Sequence, residues 1–169
     1  MKPIYRRLAT VIFLLTVSLF ASAQSSAPVI LHAGDAAKIL PDAVFFRGQS
    51  APVQARNSAG VRFPDGMYTL ATLVDNSGYS TGIQQKYQAY FITEVPLDFS
   101  GHTLHPGAYG TGFVNGKFLV MDVAANDIFS APAVHDNEIK RPTPLQLVAD
   151  GDHYRLYFGR NYVVFSRAK

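Results

Sequence analysis

His135-Asp136-Asn137-Glu138 is the densest run of potential ligands and acid–base groups in this 169-residue chain. An imidazole beside carboxylates can hold a divalent cation or act as a general base near neutral pH. Pro132 precedes the run and Pro142 and Pro144 follow it, which places it in a loop. Four adjacent residues do not all turn toward one ion, and no further ligands are marked elsewhere. The expectation is therefore a solvated polar loop with no metal. His102 and His105 stand three apart, a spacing that puts two imidazoles on one face of a helix. Pro106 and Gly107 instead make that segment a strand followed by a turn, where the two side chains diverge. They are read as polar turn residues.

Carboxylate chemistry needs two acids held roughly 5–10 Å apart. The chain has only two Glu, Glu94 and Glu138, and ten Asp, several of them at turns. Asp65, Asp150 and Asp152 are explained by turn formation. Asp122 lies inside an apolar run, Phe118 to Val123, and needs a partner if it points inward, with Arg155 or Arg160 as candidates. A structural ion pair is the preferred reading. Asp122, His135, Asp136 and Glu138 together form the possible polar site. No catalytic residue is assigned, because no cysteine and no His-Glu-x-x-His occurs and no serine-nucleophile elbow is expected. Gly107, Gly110 and Gly112 do not open a helix after a strand, so no nucleotide loop and no cofactor is implied. Gly110 and Gly112 share one strand face and leave room there for a neighbouring aromatic or for a ligand.

Aromatic side chains are the remaining handle. Asn76 to Gly82 is a polar, glycine-flanked loop carrying Tyr79, with Tyr87 and Tyr90 close behind. Loop tyrosine among Asn and Ser suits adaptable recognition, so Tyr79, Tyr87 and Tyr90 are the candidate ligand or partner contacts. The alternative is that Tyr79 folds back to cover a sheet.

The elements that must position these groups are strands. Nine Tyr, twelve Phe and many Val and Ile are punctuated by glycine-containing turns. Three hairpins follow from turn chemistry. Val61 to Phe63 meets Met67 to Val74 across Pro64-Asp65-Gly66, and Ala108 to Val114 meets Lys117 to Val123 across Asn115-Gly116. Leu145 to Ala149 meets Tyr154 to Phe158 across Asp150-Gly151-Asp152, before a last strand from Tyr162 to Ser166. The longest candidate strand runs from Tyr87 to Phe99. Tyr87, Ala89, Phe91, Val95, Leu97 and Phe99 share one face, the other face is partly wet, and Pro96 marks an edge or bend. Phe118 to Met121 is apolar on both faces, as in a strand covered on both sides. The expected core holds Phe91, Val95, Leu97, Phe118, Val120, Leu156 and Val164. One antiparallel β-sandwich or small barrel of eight to ten short strands is the expected fold, residues 43–169, after a lead-in over 24–42. At most one short helix is allowed, capped by Asp35 and ended by Pro41.

The first 23 residues read as an address. Lys2, Arg6 and Arg7 are followed by an apolar run to Phe20 and by Ala21-Ser22-Ala23, the pattern of a secretory signal cleaved before Gln24. The run is too short to cross a hydrocarbon core of ~30 Å. The whole chain has 15 Lys and Arg against 12 Asp and Glu, but three of the basic residues leave with the signal. The remaining 146 residues are formally neutral, so nucleic acid is not expected as a partner, and no stable membrane anchor survives cleavage. An exported protein without cysteine has no disulfide, so burial and sheet hydrogen bonds must hold it. The periplasm or the extracellular space is the expected location. An eight-stranded outer-membrane barrel is the rival at this length.

Thr103-Leu104-His105-Pro106-Gly107-Ala108-Tyr109 resembles the L-x-(A/P)-G-x-Y element of exported bacterial β-sandwich proteins of unknown function. The resemblance covers the C-terminal half, and it implies the fold and the exported location without any catalytic residues. The reading that results is a non-enzymatic binding or structural module of the cell envelope, acting on an unknown envelope component or small ligand. A lipocalin-like carrier of an apolar ligand and a small hydrolase with a His/carboxylate site are the alternatives.

Overall fold

The computed structural model describes residues 27–169; the signal-like segment and Gln24 to Ser26 lie outside them. Two antiparallel sheets face each other without closing into a barrel. In chain order the elements are β1 (Val29–Leu31), α1 (Ala33–Ala36), β2 (Ala43–Phe46), β3 (Gln49–Arg62), β4 (Tyr68–Val74), α2 (Thr81–Gln84), β5 (Ala89–Thr93), β6 (Leu97–Phe99) and β7 (His102–Leu104). They continue with β8 (Gly107–Val114), β9 (Lys117–Met121), β10 (Asp127–Pro132), β11 (Val134–His135), β12 (Leu145–Asp150), β13 (His153–Phe158) and β14 (Asn161–Arg167). The first sheet runs β1-β3-β4-β5-β8-β9-β10, with β2 also on β3; the second runs β12-β13-β14-β6-β7, with β11 also on β14.

The sandwich expectation holds, with fourteen strands in place of eight to ten and two short helices in place of one among the described residues. The extra strands come from breaks that a pattern of two does not reveal. The candidate strand from Tyr87 to Phe99 divides into β5 and β6, because the chain crosses between sheets at Glu94-Val95-Pro96. The expected lead-in contributes β1, whose Val29, Ile30 and Leu31 pair with Arg62, Val61 and Gly60; three residues are too few to show alternation. Asp35 lies within α1, bonded to Lys38 at 2.9 Å, and the N-cap position is His32.

All three expected hairpins form. Arg62 pairs with Tyr68 across a turn in which Gly66 has φ +87°, and Leu145 to Asp150 pairs with Phe158 to His153. Asn115 and Gly116 take φ of +50° and +73°, the left-handed pair that a type I′ turn requires. Tyr109 reaches back so that its hydroxyl donates to the carbonyl of His105 at 2.8 Å, tying the crossover from β7 to β8. A Cβ on Gly107 would stand 2.9 Å from that hydroxyl oxygen, so glycine leaves the space the ring uses.

Between the sheets, phenylalanines interlock. Phe99 stacks on Phe118 at 5.7 Å and on Phe165 at 5.3 Å, and Phe91 meets Phe99 and Phe165 edge-on. Phe91, Val95, Leu97, Phe118, Val120 and Leu156 are in this core as expected. Val164 is not. In β14 the inward positions are Val163 and Phe165, so Tyr162 and Val164 face outward.

The outer face of the first sheet is roofed. The β2–β3 hairpin crosses it far enough for the Arg47 N–H to donate to the Val123 carbonyl at 2.7 Å, and α2 packs beside it. Leu119 and Met121 meet this roof while Phe118 and Val120 face the inter-sheet core, so β9 is covered on both sides. The first turn region of the chain adds a smaller cover, with Ala36 and Leu40 packed on Leu70. On the outer face of the second sheet, Arg155, Tyr157, Tyr162 and Val164 project by alternation away from the core.

Candidate functional site

Tyr79, Tyr87 and Tyr90 do not form a contact surface, because all three are buried. Tyr79 is only 5% exposed, and its hydroxyl donates to the Phe46 carbonyl at 2.9 Å. Tyr87 stacks on Phe46 at 3.9 Å, and Tyr79 meets Tyr87 edge-on at 5.4 Å. Burial raises the phenol pKa values of all three. The expected exposed recognition loop is thus the anchor of the roof. The physical reason is the bare backbone at Gly110, where a Cβ would run into the Phe46 ring. Of the two uses foreseen for that gap, the neighbouring aromatic takes it.

Asp122 is also not what its place in an apolar run suggested. The strand ends at Met121, and the Asp122 carboxylate accepts from the Ala124 and Asn126 N–H groups and from the Asn126 side chain, each at 2.9 Å. Those bonds, led by the Asn126 side chain, hold its carboxyl below the usual range. Neither candidate arginine is involved: Arg155 pairs with Asp150, and Arg160 donates to the carbonyls of Asp136 and Ile139.

His135, Asp136 and Glu138 do come together. The pairing of Val134 and His135 with Tyr162 and Asn161 places β11 along β14, and the following residues fold over the outer face of the second sheet. They border a groove of about 350 Å³ whose other wall includes Arg155 and Tyr162. His135 Nδ1 lies 2.8 Å from Asn161 Oδ1; since that oxygen only accepts, Nδ1 carries the hydrogen. The Asp136 carboxylate accepts from the Glu138 N–H at 2.9 Å, the Ile139 N–H at 3.3 Å and the Tyr157 hydroxyl at 3.0 Å. The Glu138 N–H is the main cause of its lowered pKa, and the Arg155 charge adds to it. Arg155 stands over the Tyr162 ring at 5.2 Å and binds Asp150 through both Nε and Nη2. Hydrogen bonding to Tyr157 and then Asp150 pushes its pKa up, so it remains a cation at every relevant pH.

Tyr162, and Tyr157 beneath Asp136, were passed over by the sequence reading, which weighed Arg155 only as a partner for Asp122. Their signal was present in the last hairpin: if Tyr154, Leu156 and Phe158 point inward, Arg155 and Tyr157 point outward, and the register sets Tyr157 opposite Tyr162. A second pattern was also passed over. Gly78-Tyr79-Ser80-Thr81-Gly82 spells G-x-S-x-G, contrary to the expectation of no such elbow. The elbow geometry is nevertheless missing. Ser80 has an ordinary extended backbone, φ −60° and ψ 151°, and it precedes a helix of only four residues. Its hydroxyl makes no capping hydrogen bond to that helix.

Among the described residues no group of three or more His, Asp or Glu is arranged to hold a metal ion. No helix among them is long and apolar enough to cross a membrane. No protein-family model, curated protein or solved structure matches the chain.

Proposed function

We propose that this chain is an exported, non-enzymatic binding module of the cell envelope that takes a small polar ligand in the groove between the β11 loop, Arg155 and Tyr162. The observation that carries this reading is the convergence of a fixed cation, a carboxylate, an imidazole and an aromatic ring on a solvent-facing groove of about 350 Å³. Binding is favoured over hydrolysis by the state of Asp136. A carboxylate that already accepts three hydrogen bonds and has a lowered pKa is a weak base. The carrier alternative is disfavoured by the interlocked aromatic rings between the sheets.

The test is heteronuclear NMR of the chain from Gln24 onward, titrated with mixtures of small polar compounds. Amide shifts should cluster at Val134 to Glu138, Arg155 and Tyr162, and Arg155→Ala should abolish them. Shifts confined to the Asn76 to Thr81 loop, or insensitive to Arg155→Ala, would overturn the groove. For export, the intact mass of secreted material should begin at Gln24; a start elsewhere counts against cleavage after Ala23.

A further inference from the structure

We infer that a second site, independent of the groove, binds a single oxyanion, a carboxylate or a phosphate group of a small molecule. It is the cleft where the edge of the first sheet meets β12 of the second. The cleft exists because β3 bulges: Val53 pairs with Val74, Ser58 already pairs with Thr72, and residues 54–57 loop out between them. The bulge is held in one shape. Ser58, buried, donates its hydroxyl hydrogen bond to the Ala55 carbonyl at 2.7 Å and lies 3.3 Å from the Ala33 carbonyl, tying the bulge to the start of α1. Asn57 Nδ2 donates to Gln54 Oε1 at 2.8 Å, and Gln54 Nε2 donates to the Val74 carbonyl.

Arg56 sits at the crown of this bulge and lines a cleft of about 290 Å³ with His32, Asn57, Thr143 and Gln146. That volume is at the small end for ligand pockets, which run from about 300 Å³ upward. The lining contains a guanidinium, an imidazole, a hydroxyl and amides, and no carboxylate. Arg56 makes no ion pair among the described residues. The acid on α1, Asp35, is turned to Lys38 at 2.9 Å. A set of donors without a carboxylate, built around an arginine fork, is the chemistry that recognises an oxyanion. The groove is of the other kind, since its Arg155 is matched by Asp150 and faces Asp136 and Glu138.

The experiment titrates the labelled chain with inorganic phosphate and, separately, with acetate, at constant ionic strength set with chloride. Saturable shifts at His32, Arg56 to Ser58, Thr143 and Gln146 are expected with one or both anions, and the tighter anion identifies the head group. Arg56→Gln should weaken binding at least tenfold, whereas Arg62→Gln, a control for loss of one surface charge, should change it less than twofold. Shifts no larger than those from chloride would overturn the proposal, as would equal losses in the two variants or no loss in Arg56→Gln. Arg56 and Arg62 are both exposed, so both variants should fold. Arg155→Ala should leave phosphate binding intact, so either site can fail without the other.

Discussion

Tyr87 carries the one buried side-chain polar atom without a hydrogen-bond partner among the described residues, its hydroxyl. Leaving such a group unsatisfied costs about 1–3 kcal/mol, so Tyr87→Phe should raise stability by about 1 kcal/mol in urea unfolding. The same residue sets an alkaline limit. Burial, then the neighbouring Tyr79 and Tyr90, raise its pKa above the ordinary 10.0. The folded state therefore favours the neutral phenol, and this contribution is fully present below pH 10 and is lost as pH rises above it. The alkaline loss should be smaller in Tyr87→Phe. Tyr79 behaves differently, because its hydroxyl is satisfied. Tyr79→Phe should cost about 1 kcal/mol and Tyr79→Ala about 3–4 kcal/mol. A loss below about 1 kcal/mol for the alanine variant would mean that the residue is not part of the roof.

At the level of the elements, Gly110 lets the Phe46 ring of the roof lie directly on the backbone of the sheet. A Cβ at Gly110 would overlap the Phe46 ring and come within 3.0 Å of Tyr87, both without room to move in a stacked pair. Gly110→Ala should destabilise the chain by about 2–3 kcal/mol through overpacking. Its effect should fall on the β2–β3 hairpin, seen as faster amide exchange at Val44, Phe46 and Ala51 while Phe118 and Leu156 stay protected. Uniform loss of protection across both sheets would show that the roof and the sandwich unfold together.

For the whole molecule, the last strand is tied to the β3–β4 turn across the two sheets by Arg167, which donates to Asp65 at 2.6 Å and lies over the Phe63 ring at 5.3 Å. The Arg167 hydrogen bond is the main cause of the lowered Asp65 pKa. A depressed carboxyl stabilises the fold above its ordinary value of 3.8, and the contribution fades as pH falls through the lowered one. Asp122 and Asp136 act in the same direction and the same window. Wild type should therefore exceed Asp65→Asn in stability at pH 6, with the gap closing as pH falls below the ordinary carboxyl value of 3.8 and shrinking in high salt. A gap that persists at low pH would mean that packing, and not charge, explains the variant.

The features legible from the chain alone were local. Turn residues such as Asn115-Gly116 and Pro64-Asp65-Gly66, and the alternation of Phe91 and Leu97, follow from backbone sterics and from a period of two, which neighbours in the chain already express. Which outward face stays open was decided only by the tertiary structure. Tyr79 and Tyr162 are both tyrosines beside turns, yet one is sealed under a hairpin from residues 43–52 and the other lines a groove. The difference depends on contacts between segments far apart in sequence: Phe46 over Gly110, His135 beside Asn161, Arg56 across from Gln146. Such contacts leave no periodic trace in the chain. Burial of a side chain is settled by what the fold lays on top of it, and a residue's own neighbours in sequence do not encode that cover.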